Sequence, residues 1–518
     1  MNYNSNPFNS NNQGIEFDSI NPDFNTLKAG FTYHLQGGIS YKISHMLDDR
    51  INEQNQLNSK NLKILKGTTS IVTEEKERNQ QLILSDVVRK SVEWKTPEEI
   101  LGTTICLFPE MPFEAFKNNF ENKQYNFISV LNILFERPGL ITRLFENDSL
   151  SIYGLYGIWL NCKGKWVLNL VDHYFPVYKN EYCFSDFTNN KKVFCPFLIE
   201  KALAIKYNGY ENINRASTIE IIQDLTGLPY QSKVVNDFDV ENIWRFIKEN
   251  ALNQYLIFVE ASYDIWEAQG LSFTIVSSYE VQYAENEIIQ TDRILKLSSP
   301  DKKFIYQGKW RKNSDLWNII NENQISTTKD IDRIFYVSLS ELKQLFSQIF
   351  IVKTVNTIND FYTSMDLVNN KKFVINFALN STRSVYLSTH SNHDFSEEYS
   401  FIRTLIAKKG DQDLEFINGS YSNKREYYIE MKDLEPGNYL MAIEVIPLKE
   451  NYKEEITISC FLSGEETGFK LKMDEKLHHE DAFLDIQKKI IKSLATKHDS
   501  TSARIRDYLN SDELNIKM

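Results

Sequence analysis

The apolar positions of this 518-residue chain change spacing several times, and each change predicts a different kind of element. Residues 1–26 are rich in Asn and Ser and short of periodic apolar positions, which predicts a flexible arm or a segment that orders on a partner. Residues 27–90 mix short apolar patches with charged stretches such as Thr73-Glu74-Glu75-Lys76-Glu77-Arg78 and predict no definite element. From Trp94 to about Arg215 the pattern predicts a helix over Phe127–Phe145, strands at Tyr153–Leu160 and Trp166–Asp172, and a helix from Pro196 to Tyr207. Short apolar runs at Tyr255–Glu260, Phe273–Ser277 and Arg293–Leu297 predict a β-rich second lobe over 216–352.

Five further runs, Phe373–Leu379, Ser384–Ser388, Glu426–Met431, Tyr439–Ile446 and Ile456–Leu462, predict an antiparallel β-sandwich, with a hairpin turn at Pro436-Gly437-Asn438. Phe483, Ile486, Ile490 and Leu494 follow one another at helical spacing and predict a single buried stripe, more in keeping with a docked helix than a membrane ligand. Lys488, Lys489 and Lys492 in the same stretch carry the lesser, surface-binding reading. The expected division is a 1–90 extension, a first lobe at 91–215, a second lobe at 216–352, a sandwich at 353–464 and a helical tail at 465–518.

Composition narrows the functional classes. Hydrophobic residues at 42% suffice for several cores, and the length exceeds what one core usually serves. A net charge of −12 argues against nucleic acid, because neutralising phosphates requires clustered Lys and Arg. The cysteines, Cys106, Cys162, Cys183, Cys195 and Cys460, show no paired metal spacing and fit a reducing compartment, and the first four read as structural thiols. Met1–Gln13 has no signal-peptide pattern, and no run of about 18 apolar residues predicts a transmembrane segment. The expectation is a soluble, cytoplasmic protein.

Several blocks then stand in a telling order. Gly164-Lys165-Trp166-Val167 is followed by Val171-Asp172-His173-Tyr174-Phe175-Pro176 and Leu198-Ile199-Glu200-Lys201-Ala202-Leu203-Ala204. Asn208-Gly209-Tyr210-Glu211 and Asp224-Leu225-Thr226-Gly227 come next. This succession resembles the calpain cysteine-protease core, with its G-x-W strand, V-D-D-x-x-P strand, L-E-K-A-Y-A-K helix, G-S-Y-E turn and D-x-T-G-G segment. Gln307-Gly308-Lys309-Trp310 through Trp317 resembles that family's G-x-W-S-D-x-S-x-x-W segment. Phe335-Tyr336-Val337-Ser338-Leu339 resembles its F-W-M-S-F strand, and Leu434-Glu435-Pro436-Gly437-Asn438-Tyr439 its L-x-P-G-x-Y turn. The likeness runs over about residues 91–464. It implies an α+β fold: a papain-like, two-lobed protease core, then an antiparallel C2-like β-sandwich, with extensions at both ends.

The same resemblance implies where chemistry would sit. Such a core uses a Cys at a helix N-terminus, a His that takes its proton and an Asn that orients the His. Aligning the family's Q-x-x-L-G-D-C-W with the residues before Phe127-Ile128-Ser129-Val130 places Tyr125 at the Cys. Its G-H-A-Y-S-V strand matches Gly270-Leu271-Ser272-Phe273-Thr274-Ile275, placing Leu271 at the His. Its L-R-N-P-W matches Leu297-Ser298-Ser299-Pro300-Asp301, placing Ser299 at the Asn. No Cys occurs between Cys106 and Cys162, and no His between His173 and His390, so a shifted register supplies neither group.

The expectation is therefore a catalytically inactive calpain-like protein acting in a larger protein assembly. Degenerate relatives of this kind in cytoskeletal and ciliary settings imply microtubule or axonemal partners and a cytoskeletal or ciliary location. The alternatives are a peptide-binding decoy for active calpain-type proteases and, more remotely, a hydrolase with relocated residues. Ser129 reads as a core helix serine, and Asp172 and His173, adjacent on a strand, point to opposite faces. His390 and His393 are expected in a solvated loop spanning Thr389–Phe395, and His478-His479 in a charged helix. No cofactor is expected. Scattered acids and the lack of an EF-hand loop leave room only for residual calcium sites of the core.

Overall fold

The chain divides into two units. The computed structural model describes residues 92–510 with interruptions, the longest at 109–116, 263–269, 321–332, 392–398 and 448–455. Within that range the first unit holds 92–161 and 167–354, and the second holds 162–166 and 355–510.

The first unit opens with β1 (Glu93–Lys95), α1 (Tyr125–Leu134), the paired strands β2 (Leu155–Cys162) and β3 (Lys165–Asp172), and β4 (Phe175–Tyr178), whose Pro176 lies opposite Trp94 of β1. The helices α2 (Cys195–Lys206) and α3 (Thr218–Thr226) follow. The helix expected over Phe127–Phe145 stops at Leu134 and resumes only as the short turn Gly139–Thr142, since Pro138-Gly139 cannot continue it. α2 is buried on every side from Cys195 to Ala204, which explains a composition apolar all round except at Glu200 and Lys201. α3 starts on a capping box, with Ser217 Oγ accepting from Glu220 N (3.4 Å) and Ser217 N donating to Glu220 Oε2 (2.8 Å). It ends at Gly227 in the left-handed conformation that glycine adopts without a Cβ penalty.

Next come β5 (Tyr230–Val234), α4 (Val240–Leu252), β6 (Leu256–Ala261), β7 (Ser272–Glu285), β8 (Ile288–Ser298), β9 (Ile334–Ser338) and β10 (Phe346–Val352). These strands form one six-stranded antiparallel sheet in the order β9-β8-β7-β6-β10-β5. Its core joins Phe273, Leu295 and Leu297 to Ile243 and Ile247 of α4 and to Trp310. The short apolar runs in the sequence account for β6 and for parts of β7 and β8, and miss β5, β10, α3 and α4; in α3 the polar residues Thr218, Gln223, Asp224 and Thr226 are themselves buried, so they break its apolar period.

The second unit is a sandwich. β11 (Phe361–Leu367), β12 (Lys372–Leu379), β13 (Arg383–Ser391), β14 (Phe401–Lys409), β15 (Leu414–Ser422), β16 (Glu426–Leu434), β17 (Gly437–Ile446), β18 (Ile456–Leu462) and the short β19 (Lys472–Met473) make two sheets. Their orders are β11-β18-β13-β16 and β15-β14-β17-β12-β19. Period-two alternation sorts the side chains: Phe373, Ile375 and Phe377 of β12 join Leu387, Ile429 and Ile458 in the core between the sheets. Val374 points the other way, with Leu405, Ala407, Phe416, Leu440 and Ala442. That outer face is covered by α5 (Glu480–Ala495), through Phe483, Ile486, Ile490 and Leu494, and by Ile505 of α6 (Ser500–Asn510). Each such burial stabilises by about 1.5–3 kcal/mol. The predicted stripe thus docks on a sheet, and β19 adds an edge strand beyond position 464.

Candidate functional site

Within the first unit, α1 lies against the start of β7 and the end of β8. Tyr125 is the first residue of α1, Leu271 directly precedes β7, and Ser299 directly follows β8. The two strands are antiparallel with Thr274 opposite Ser298, so one end of this hairpin faces the helix. Leu271 is 2% exposed and belongs to the apolar cluster of the six-stranded sheet. Ser299 is 1% exposed, and its hydroxyl turns the chain by donating to Asp301 O (2.8 Å) and accepting from Asp301 N (3.1 Å).

Neutral hydrogen bonds close the contact. Ser129 Oγ accepts from Ser272 N (3.0 Å), and the hydroxyls of Thr218 and Ser272 lie 2.9 Å apart. Asn132 Nδ2 donates to Thr274 Oγ1 (3.3 Å) and Ser298 O (3.4 Å). Its Oδ1 accepts from Ser298 Oγ (3.4 Å) and from an Arg333 guanidinium nitrogen (3.2 Å). Asn132 and Arg333 lie outside the quoted motif blocks, and Thr274 and Ser298 lie inside them without a role assigned there. A signal for Asn132 exists, since Asn126, Ser129 and Asn132 are polar residues three apart in a helix that is otherwise apolar from Phe127 to Leu134.

The resemblance blocks Val171–Pro176 and Leu198–Ala204 meet in a charged cluster instead. Lys201 Nζ donates to Asp172 Oδ1 (2.6 Å), Asp172 O (3.3 Å) and Tyr174 O (2.6 Å), with the Trp94 ring 5.2 Å away. Both side chains of this ion pair are fully buried. Asp172 also accepts from Tyr174 N (2.8 Å), so it fixes the end of β3. His173, just past that end, is half-buried, and burial pushes its imidazole below the ordinary pKa. Asp224 likewise gathers Lys206 Nζ and the Tyr207 hydroxyl at the end of α2. Farther on, Asp292 accepts from Trp310 Nε1 (2.9 Å) and Ser338 Oγ (2.8 Å), which joins the Gly308–Trp310 block to β9.

His390 corrects the loop expectation. It sits in β13, 3% exposed, with Nε2 at 2.9 Å from Ser388 Oγ and 2.8 Å from Ser459 Oγ, and Nδ1 at 3.4 Å from Glu426 Oε2. The strand continues through Ser391, so its alternation places Ser388 and His390 on one face. His393, His478 and His479 lie outside the described residues. Cys195 begins the helix α2, a placement that lowers a thiol pKa when exposed, yet complete burial pushes it well above its ordinary value. Burial also pushes Cys183 up to about 12. Among the described residues no group of three or more His, Cys, Asp or Glu could hold a metal, and no helix is long and apolar enough to cross a membrane.

Residues 69–353 match the profile of the calpain family cysteine protease domain. The chain belongs to the calpain family. It is 24% identical to calpain-14 of Homo sapiens over 238 residues, 44% of this chain and 34% of that protein. Calpain clp-4 of Caenorhabditis elegans is 25% identical over 307 residues, 54% and 41% of the two chains. Calpain-7 of Sus scrofa is 20% identical over 410 residues, 70% and 50%. The chain thus spans half or less of the length of these relatives. In this calpain-family chain the papain-like core carries charged clusters between β3 and α2 and between α2 and α3, and an almost neutral seam between α1 and the β7–β8 hairpin.

Proposed function

We propose that this calpain-family chain has no thiol-protease activity and serves as a structural or interaction component of a larger protein assembly. The observation that carries the reading is the make-up of the α1 seam: Ser129, Asn132, Ser272, Thr274 and Ser298 hydrogen-bond to one another there. On the alignment to the family motifs, Tyr125, Leu271 and Ser299 replace the Cys, His and Asn. A phenol with a pKa near 10 and an aliphatic side chain cannot supply a thiolate and its base, a loss that costs a factor of about 10⁶ in turnover. The relocated-enzyme reading fares worse, because Cys195, the thiol at a helix start, is buried and held protonated. Burial of Leu271 also weighs against an open peptide groove and so against the decoy. Microtubule or axonemal partners are the class to try first.

The decisive assay is hydrolysis of casein by the purified full chain, with and without calcium and a thiol alkylator. No alkylator-sensitive cleavage is expected. Alkylator-sensitive turnover would overturn the proposal. Co-sedimentation with stabilised microtubules then tests the partner class, and a chain that stays in the supernatant removes it.

A further inference from the structure

Cys106 and Cys195 are distant in the sequence and adjacent in the fold. The segment around Cys106 runs parallel to the residues that lead into α2, with Cys106 paired to Val193 across an isolated bridge. Phe194 N donates to Cys106 O (3.1 Å), and Cys195 N donates to Leu107 O (3.0 Å). Cys195 thus bonds to the residue next to Cys106, and disulfides join cysteines whose Cα atoms are about 4.4–6.8 Å apart. Packing fixes both segments. Leu107 is buried, the Phe108 ring lies 5.0 Å from that of Phe145, and the Phe194 ring lies 5.4 Å from that of Tyr156.

The two thiols differ in a way that orders their oxidation. Both are reduced; Cys106 is half-buried, whereas Cys195 is fully buried. Burial, and after it the neighbouring Cys106 thiol, pushes Cys195 well above the ordinary range. For Cys183 and Cys460 burial acts alone, so Cys195 is set apart by a second thiol close enough to be felt. Oxidation follows exposure, and peroxide therefore reaches Cys106 first.

We infer that Cys106 and Cys195 form a redox-sensitive disulfide that staples the segment before α1 to the start of α2. In the first step hydrogen peroxide converts the Cys106 thiol to a sulfenic acid, and its O–O bond breaks with release of water. In the second step the Cys195 sulfur attacks the Cys106 sulfur, the S–O bond breaks, and the hydroxyl leaves as water with the Cys195 proton. Two electrons pass from the thiols to the peroxide. The closed loop spans roughly 90 residues and takes in α1 and β2–β4, so the staple restricts the unfolded chain. A thiol reductant attacks at the accessible Cys106 sulfur, and Cys195, with its raised pKa, is then a slow leaving group. The disulfide is reversible and slow to reduce. The inference is independent of whether the chain cleaves peptides.

The test treats the folded full chain with hydrogen peroxide, blocks the remaining thiols with N-ethylmaleimide and maps its peptides without reduction. The expected product is a peptide pair joined through Cys106 and Cys195 that dithiothreitol separates, together with a thermal unfolding midpoint raised by roughly 5–10 °C. Cys106→Ser and Cys106→Ala are expected to abolish both the link and the shift, and Cys183→Ser to retain the link. Recovery of Cys106 as sulfinic or sulfonic acid beside reduced Cys195 overturns the inference. So does a link from Cys106 to any other cysteine, within one chain or between two.

Discussion

Two buried polar networks in the first unit invite comparison. Between β3 and α2 the polarity is ionic: Lys201 uses its ammonium protons on Asp172 and Tyr174, and both charges are fully buried. Between α1 and the β7–β8 hairpin the polarity is almost wholly neutral, built from hydroxyls, amides and backbone, with Arg333 as the charge that reaches it. Burying an ion pair is costly and tolerates no missing partner, so the first network strictly specifies how α2 packs. A neutral network costs less to bury and titrates with nothing. Two of the family blocks, Val171–Pro176 and Leu198–Ala204, meet in the first network, and two others, Gly270–Ile275 and Leu297–Asp301, meet in the second.

The comparison breaks most sharply at Lys201. Lys201→Met leaves the Asp172 carboxylate buried without its counter-ion, and a loss of about 3–5 kcal/mol is expected in urea unfolding. Asn132→Leu removes the centre of the neutral seam and strands Ser298 Oγ, and the expected loss is smaller, about 1–3 kcal/mol. Equal losses for the two would show that charge is not what separates the networks.

The smallest effect is a pH dependence. Burial favours the neutral form of His173, so its folded pKa lies below the unfolded value near 6.5. Its contribution is complete above about pH 6.5 and is lost as pH falls towards the folded pKa, because the unfolded chain then binds the extra proton. His173→Gln is expected to flatten stability between about pH 7 and 5. Asn132→Leu should cost the same at both ends of that range, since Asn132 and its hydroxyl partners do not titrate there.

Much of this was legible in the sequence where burial had a period or a motif. The stripe Phe483–Leu494 and the runs of β12, β17 and β18 were readable because one face of each is apolar. β11, β14 and β15 escaped, since Phe361–Leu367, Phe401–Lys409 and Leu414–Ser422 mix polar residues into both faces. For the site, the order of blocks gave Tyr125, Leu271 and Ser299 as positions. It gave no hint of the Asn132 network, whose other members lie 142 to 201 residues from Asn132 along the chain. His390 shows the converse failure: its polar neighbours Ser388 and Ser459 look like surface, yet they bury one another.

The outward-facing apolar layer of β12, β14, β15 and β17 bears on deletion mapping. The sandwich has one hydrophobic layer between its sheets and another that exists only because Phe483, Ile486, Ile490 and Leu494 lie on it. A fragment ending near 474 would retain every described strand of the sandwich and lose the lid of that second layer, leaving Val374, Leu405, Phe416 and Leu440 facing water. Lost partner binding in such a fragment would report misfolding or self-association rather than a removed binding motif. The informative fragment ends after α6, and motifs in the tail are better probed by substitutions on its solvent side.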